Sequence, residues 1–533
     1  MIERMPLKNL LPCRLTALSL AVAIASSGLG PAAAQSVGRG IDNLPALGEA
    51  SVDELSPAAE QRLGDQIFQE FLRMGVVHDD PEVTDLLTRQ ANRLLAASGS
   101  LGHSQDGRPF RFFLVRDSSI NAFALPGGYI GVHTGLITAS DRESEVMSVL
   151  AHEIGHVTQR HIARMFGQQR QTSAVMIAAA VLAAMAAKGS PDAAMGVLSL
   201  GQTVAIREQL AFSRDAEREA DRVGLQILAE SGFNPTGMSS MFERLSQAGR
   251  LYDNNAPAYL RTHPLTTDRI ADIQSRLQSD PGIMRIAQQT ATQMNSAGFD
   301  WSRAKLTALA DTKVDGLRTA RQRFDVQLND PKNNSAAQQG PIHFGIAWAA
   351  LSQRDFTTAT QHHQWAEEAA ASSGLAPSVG PLLAFLRLQI AIQSATTPEQ
   401  KAALRVLAGQ SVMRYADSRA LLRSAAEAYL LGGAIDNAAQ TARIVTQQWS
   451  WDPQAWALLG RAESMRGKRT AQHAAIAEQY ALSGAYAAAI EQLTLARTAA
   501  DADFITMSKV DARLTTMRAM LRREQLERQQ SGR

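Results

Sequence analysis

His152 and His156 stand four residues apart in His152-Glu153-Ile154-Gly155-His156, within a stretch whose apolar residues recur at helical period. On a helix this spacing puts both imidazoles on one face, one turn apart, where they converge on a single cation. Glu153 lies about 100° further round, within reach of a water beside the cation without ligating it. The pattern predicts metal-assisted hydrolysis, with zinc as the Lewis acid and Glu153 as the general base.

A third ligand sets the subclass. A metzincin needs a glycine three places after His156 and a histidine six places after it, but Gln159 and Ile162 stand there. His161 falls one place off and reads as a polar helix residue. The other solution is a carboxylate from a second helix, which leaves an open position for water. Ser213-Arg214-Asp215-Ala216-Glu217-Arg218-Glu219-Ala220-Asp221 offers one. Glu217 and Asp221 share a face, whereas Glu219 points elsewhere. The expectation is Glu217 as ligand, Asp221 as the acceptor that orients a ligand histidine, and one Zn2+ per chain.

These residues need rigid carriers. The motif sits in a helix expected over 143–164, and Glu217 in a second over 209–231, closed by Gly232 and Pro235. Upstream, a helical pattern runs from Val52 to Thr88, with Ile67, Phe68, Phe71 and Leu72 on one face and Val83, Leu86 and Leu87 on the next. Alternation around Phe110 to Ile137, interrupted by Pro126-Gly127-Gly128, predicts a small sheet with a glycine-rich turn. Asn121, Ala122 and Phe123 are its expected edge for pairing with an extended substrate. Between the two long helices, residues 174–200 hold apolar runs too short to span a bilayer. They read as a buried helical hairpin, or as a lid or a surface that touches membrane lipid or an unfolded client.

The composition favours a mainly helical protein: 45% hydrophobic residues, 5% aromatics and long Ala- and Leu-rich stretches. With 53 basic against 51 acidic residues there is no support for nucleic acid binding. Lys8 and Arg14 precede an apolar run from Leu15 to Ala25 that leads to Ala32-Ala33-Ala34, a cleavable secretory signal with cleavage expected after Ala34. Cys13, the single cysteine, would leave with it, so the metal is held by nitrogen and oxygen. The polar run Lys332-Asn333-Asn334-Ser335 marks a boundary. Beyond it, Trp456, Leu459 and Gly460 resemble the first-helix signature of tetratricopeptide repeats, and Tyr480, Ala489, Leu493 and Ala496 its later positions. Tyr429 and Ala438 repeat the spacing of Tyr480 and Ala489. Stacked helix pairs present a concave binding groove, and a purely structural helical cap is the alternative.

The His-Glu-Ile-Gly-His run, the S-R-x-x-E-x-x-A-D pattern at 213–221 and Asn121-Ala122-Phe123-Ala124-Leu125-Pro126-Gly127-Gly128 together resemble the peptidases related to the CAAX prenyl protease. The signal and repeat-like tail are similar to those of the periplasmic members that act as chaperone and protease in outer-membrane β-barrel assembly. The resemblance implies His152, His156 and Glu217 as zinc ligands, Glu153 as base and Asp221 as support. Thr262-His263-Pro264-Leu265 with Arg269 resembles the segment whose histidine occupies the fourth zinc position and holds the enzyme latent, with oxyanion stabilisation as its other role. The implied partners are misfolded or unassembled outer-membrane proteins and, through the repeats, the β-barrel assembly machinery. The cysteine pair that ties domains in such a relative is missing here. The expected layout is a signal over 1–34, an extended lead over 35–51, an α+β zinc peptidase domain over 52–290, a helical linker over 291–335 and a helical solenoid over 336–525. A chaperone or adaptor with latent proteolysis, and a peptidase anchored by an uncleaved signal, are the competing functions.

Overall fold

A computed structural model describes residues 55–103, 109–167, 213–250 and 257–531. The expected signal, the lead and residues 174–200 lie outside the described residues.

Helix α1 (Pro57–Arg73) starts where the Ser56 hydroxyl accepts from the Ala59 N–H and proline takes the first turn. It buries Leu63, Ile67, Phe68 and Phe71 on one face, with Leu72 packed at the margin. The helical pattern expected over 52–88 is divided, because the chain reverses at Gly75 (φ 68°) and passes through β1 (Val77–His78). Asp80 and Pro81 then open α2 (Pro81–Ser100).

Strands β2 (Arg111–Val115), β3 (Ala122–Leu125) and β4 (Tyr129–His133) complete a four-stranded sheet in the order β1-β2-β4-β3. β2 and β4 are parallel, and β3 is antiparallel to β4, with Ala124 opposite Ile130. β3 is therefore an edge. The turn between them, Pro126–Gly128, needs φ of 75° and 82° at its two glycines. The sheet ends sooner than expected, since 134–139 is helix α3 (Thr134–Ala139) rather than strand.

Helix α4 (Glu143–Thr158) runs through the middle of the domain and is buried on all sides from Glu143 to Val157. It stops earlier than the expected 164. Gln159 closes it, Arg160 takes a left-handed conformation (φ 55°), and α5 (His161–Gly167) sets off in a new direction. Helix α6 (Arg214–Glu230) lies against α4 and begins at Ser213, whose hydroxyl accepts from the Ala216 N–H. Helices α7 (Thr236–Arg250), α8 (Ala258–Thr262) and α9 (Thr267–Ser279) close the domain around one core shared with α2, the sheet, α4 and α6.

The rest is a helical solenoid. Trp301 and Phe324, from helices Ala297–Ala308 and Val314–Leu328, enter the core of the first long hairpin, Ala336–Ser352 with Phe356–Ser372. Further helices follow, Arg419–Leu431 pairing with Ile435–Gln448 and Pro453–Met465 with Arg469–Leu482. Turns repeat one closure. Gly433 and Gly484 sit at positive φ, and the next amides, Ala434 and Ala485, donate to Tyr429 O and Tyr480 O. Gly460 lets the helix beginning at Arg469 approach, because a Cβ there would meet Ile476 at 3.1 Å.

The solenoid folds back onto the first domain. Arg423 donates to both oxygens of Asp79, Arg419 to Asp85, and both arginines reach the buried Asp452. Lys305 is buried between Asp80 and Glu82 at 2.9 and 2.7 Å, beneath Trp348. Among the described residues, no helix is long and apolar enough to cross a membrane.

Candidate metal centre

The site depends on how closely α4 and α6 cross. A Cβ added to Gly224 would meet the His152 backbone at 3.0 Å, and one on Gly155 the Ala220 carbonyl at 3.1 Å. Each helix thus has hydrogen where the other has backbone, and Glu217, one turn before Asp221, is brought against the two histidines. Ser213 starts α6 just before Glu217, so the carboxylate lies in the first turn of the helix.

His152, His156, Glu217 and His263 each present a donor atom, all within 4.8 Å of one another. His156 Nε2 is 3.0 Å from His152 Nε2, and His263 Nδ1 is 3.4 Å from His152 Nε2 and 2.9 Å from Glu217 Oε1. Glu217 lies 3.4 Å from His156 and 3.6 Å from His152. A tetrahedral cation with bonds of about 2.0–2.1 Å requires donors roughly 3.3 Å apart. The nitrogen and oxygen set therefore fits such an ion, and every member is at most 2% exposed.

Each histidine on α4 is backed through its other nitrogen. His152 Nδ1 lies 2.9 Å from Asp221 Oδ1. Arg269 donates through Nε and Nη2 to the two oxygens of Asp221, and its Nη1 reaches Glu217 Oε2 at 2.6 Å and the Pro264 carbonyl at 2.9 Å. His156 is backed by the residue first taken for a plain polar one. His161 Nδ1 is 2.9 Å from His156 Nδ1, and His161 Nε2 is 3.0 Å from Glu219, which Arg164 also holds. The turn at Arg160 carries His161 back beneath His156, so two residues that helix phase had set aside form a second support. The histidine five places after His156, together with an acid beside the ligand position, was the sequence signal available for it.

Electrostatics follow burial and neighbours. Burial works against charge on Glu217, but His263, His156 and His152 together hold its carboxyl well below the usual range. Burial likewise opposes charge on Asp221, and Arg269 and His152 overcome it. Glu153 behaves differently. Burial pushes its carboxyl up, His263 and His152 offset part of the rise, and the Ala124 amide lies beside it. Neither Glu153 oxygen makes a hydrogen bond of ordinary geometry, which leaves the carboxylate available to a water or an amine. Burial drives His156 well below its ordinary value, as a ligand imidazole requires.

His263 ends α8, stacked on Tyr259 at 4.6 Å, with Nε2 3.5 Å from Glu153. The Tyr259 amide donates to Ile120 O, which ties this segment to the approach of β3. On that strand Ala122 is buried and Phe123 is partly exposed; Asn121, just before it, is partly exposed, and its amide group lies 3.3 Å from His133 Nε2.

Two imidazoles and a carboxylate from crossing helices, with the Glu153 carboxylate next to the first imidazole, define a metallopeptidase centre. Residues 81–277 match Peptidase family M48. The chain is 30% identical over 514 residues to the Beta-barrel assembly-enhancing protease of Escherichia coli (strain K12), covering 95% of this chain and 96% of that one. To the protein of the same name from Yersinia pestis it is 29% identical over 486 residues, 90% and 92% of the two chains. Metalloprotease LoiP of Escherichia coli matches at 29% over 229 residues, 42% of this chain and 83% of its own. The chain belongs to peptidase family M48.

Proposed function

We propose that this protein is a periplasmic zinc endopeptidase that hydrolyses misfolded or stalled outer-membrane proteins, and that its solenoid, read as tetratricopeptide repeats, docks it to the β-barrel assembly machinery. The observation that carries the reading is the convergence of four buried donors beside Glu153. The near full-length similarity to proteins named for β-barrel assembly supports the client class.

His152, His156 and Glu217 would hold the zinc, which when bound supplies a Lewis acid for the scissile carbonyl. Asp221 and His161 fix the ring orientations of His152 and His156. Glu153 takes a proton from the attacking water and returns it to the departing amine, a role suited to a carboxyl whose affinity for protons burial has raised. An extended substrate would pair with the free edge of β3 along Asn121, Ala122 and Phe123, where α4 and Glu153 lie alongside.

His263 is the latch in this reading. Its Nδ1 stands among the donors, where the substrate carbonyl or water would have to enter. The same contact favours a second reading, in which the protein acts mainly as a chaperone or adaptor and cuts only after His263 moves.

The test is degradation of an unassembled outer-membrane β-barrel client by purified protein. Glu153→Gln should reduce it by roughly 10²–10⁴-fold while bound zinc stays near one per chain. His263→Ala should increase it. Unchanged cleavage in the Glu153 variant would show that the site does no peptidase work, and no increase in the His263 variant would refute the latch alone.

A further inference from the structure

A second place where imidazole nitrogens face each other lies in the solenoid, far along the chain from the peptidase ligands. His343, on the helix Ala336–Ser352, and His362, on the helix Phe356–Ser372, present Nδ1 atoms 3.1 Å apart across the first hairpin. Both rings are half-buried, so they are held in place yet reachable from solvent. Trp365, one turn after His362, closes one side. Its indole lies 4.7 Å from the His362 ring and 5.3 Å from the His343 ring, and Trp365 is 38% exposed.

The next residue shows what an ordinary structural histidine looks like in this hairpin. His363 is buried, its Nε2 lies 2.9 Å from the Leu383 carbonyl, and its Nδ1 faces Glu367. Among the described residues, the side-chain hydrogen-bond partner of His343 is His362, nitrogen to nitrogen. Two facing imidazole nitrogens have two stable arrangements: one N–H donating to the other ring, or both lone pairs directed at one cation. The 3.1 Å separation falls within the 2.9–3.6 Å spread of the donors at the peptidase centre. Burial and the neighbouring His343 hold His362 at about 4, so this ring is neutral near pH 7. Of the nearby charges, Asp355 favours a cation, whereas Arg321 opposes one and is itself 3.5 Å from Asp355.

We infer that His343 and His362 form a second metal site, which takes a late first-row transition cation of the kind that prefers imidazole, with the Trp365 indole against it. Copper(II) heads the affinity order for nitrogen sites and is the probe of choice. Bound there, the cation joins the two helices of the hairpin that begins the long part of the solenoid. It leaves its remaining coordination positions to water or to an outside ligand.

The full chain, first saturated with zinc, is titrated with copper(II) chloride while tryptophan emission and released zinc are followed together. Quenching should saturate near one equivalent without zinc release, because the quencher sits beside Trp365. His343→Gln and His362→Gln keep a polar side chain of similar size but lose a strong ligand, and each should weaken binding by about tenfold or more. Trp365→Phe should remove most of the quenching and keep the calorimetric equivalent. The site is refuted if the parent takes up no copper beyond the peptidase centre, if quenching tracks zinc release, or if both glutamine variants titrate like the parent. Melting temperature supplies a separate readout. Copper should raise it in the parent and not in either glutamine variant, and an equal rise in all three overturns the proposal.

Discussion

Replacing His161 by alanine tests whether the turn at Arg160 serves the metal. His161 is 4% exposed and is the partner of His156 Nδ1 at 2.9 Å. Its loss leaves a buried N–H without that acceptor, a cost of about 1–3 kcal/mol. That cost is avoided only if the His156 ring rotates and draws Nε2 away from the other donors. Supporting contacts of this kind change metal affinity by about 10–100-fold, or about 1.4–2.7 kcal/mol, so the two estimates agree. Competition with a chromogenic chelator at fixed pH reads the zinc dissociation constant directly. His161→Gln is the control, because its amide oxygen still accepts and should recover part of the loss. Affinity within about twofold of the parent in the alanine variant, or equal losses in alanine and glutamine, would refute the relay.

Three further outcomes concern the frame. Gly224→Ala places a methyl 3.0 Å from the His152 backbone and should cost about 1–3 kcal/mol of stability, with weaker zinc binding because α6 carries Glu217 outward; urea unfolding and chelator competition check both. Burial raises Glu82 to about 8, so its proton is bound more tightly in the folded chain, and its contribution to stability is present below about 4.5 and lost as pH rises through 8. Glu82→Gln should therefore be tolerated near pH 7 and should flatten the fall in urea midpoint over that window. Lys305→Met strands Asp80, which Lys305 holds ionised against burial, and should cost about 3–5 kcal/mol.

The convergence of His152, His156, Glu217 and Asp221 was legible because they lie on long helices whose period fixes a face. These needed only that geometry, although the glycines that let the helices touch mattered as much. Helix phase counted from His156 does not place His161, because α4 ends at Thr158 before reaching it. The break occurs at an arginine with positive φ, where neither glycine nor proline announces it. Helix α3 was hidden for a different reason: residues 134–137 are all buried, so no alternation of polar and apolar residues separates them from the strand before. Strand β1 has two residues, too few to show a period. In the solenoid the Tyr-Ala spacing recurs because Gly433 and Gly484 close their turns alike. Those turns lie three helices apart, an odd number, which is why the Trp456 signature and the tyrosine pairs do not keep one register.

Arg269 holds three partners with one guanidinium. It donates to both oxygens of Asp221 behind His152, reaches Glu217 Oε2, and donates to the Pro264 carbonyl just after His263. If His263 moves as proposed, displacement at 263–264 and the hold on Asp221 would therefore be coupled. Under the proposed latch, whatever took the place of His263 would change how firmly His152 is oriented, and with it the hold on an ion. Linkage makes the effect reciprocal: occupancy of the metal position must shift the affinity for whatever displaces His263 by the same factor. Under the proposed function, metal and client would then report on each other through one arginine.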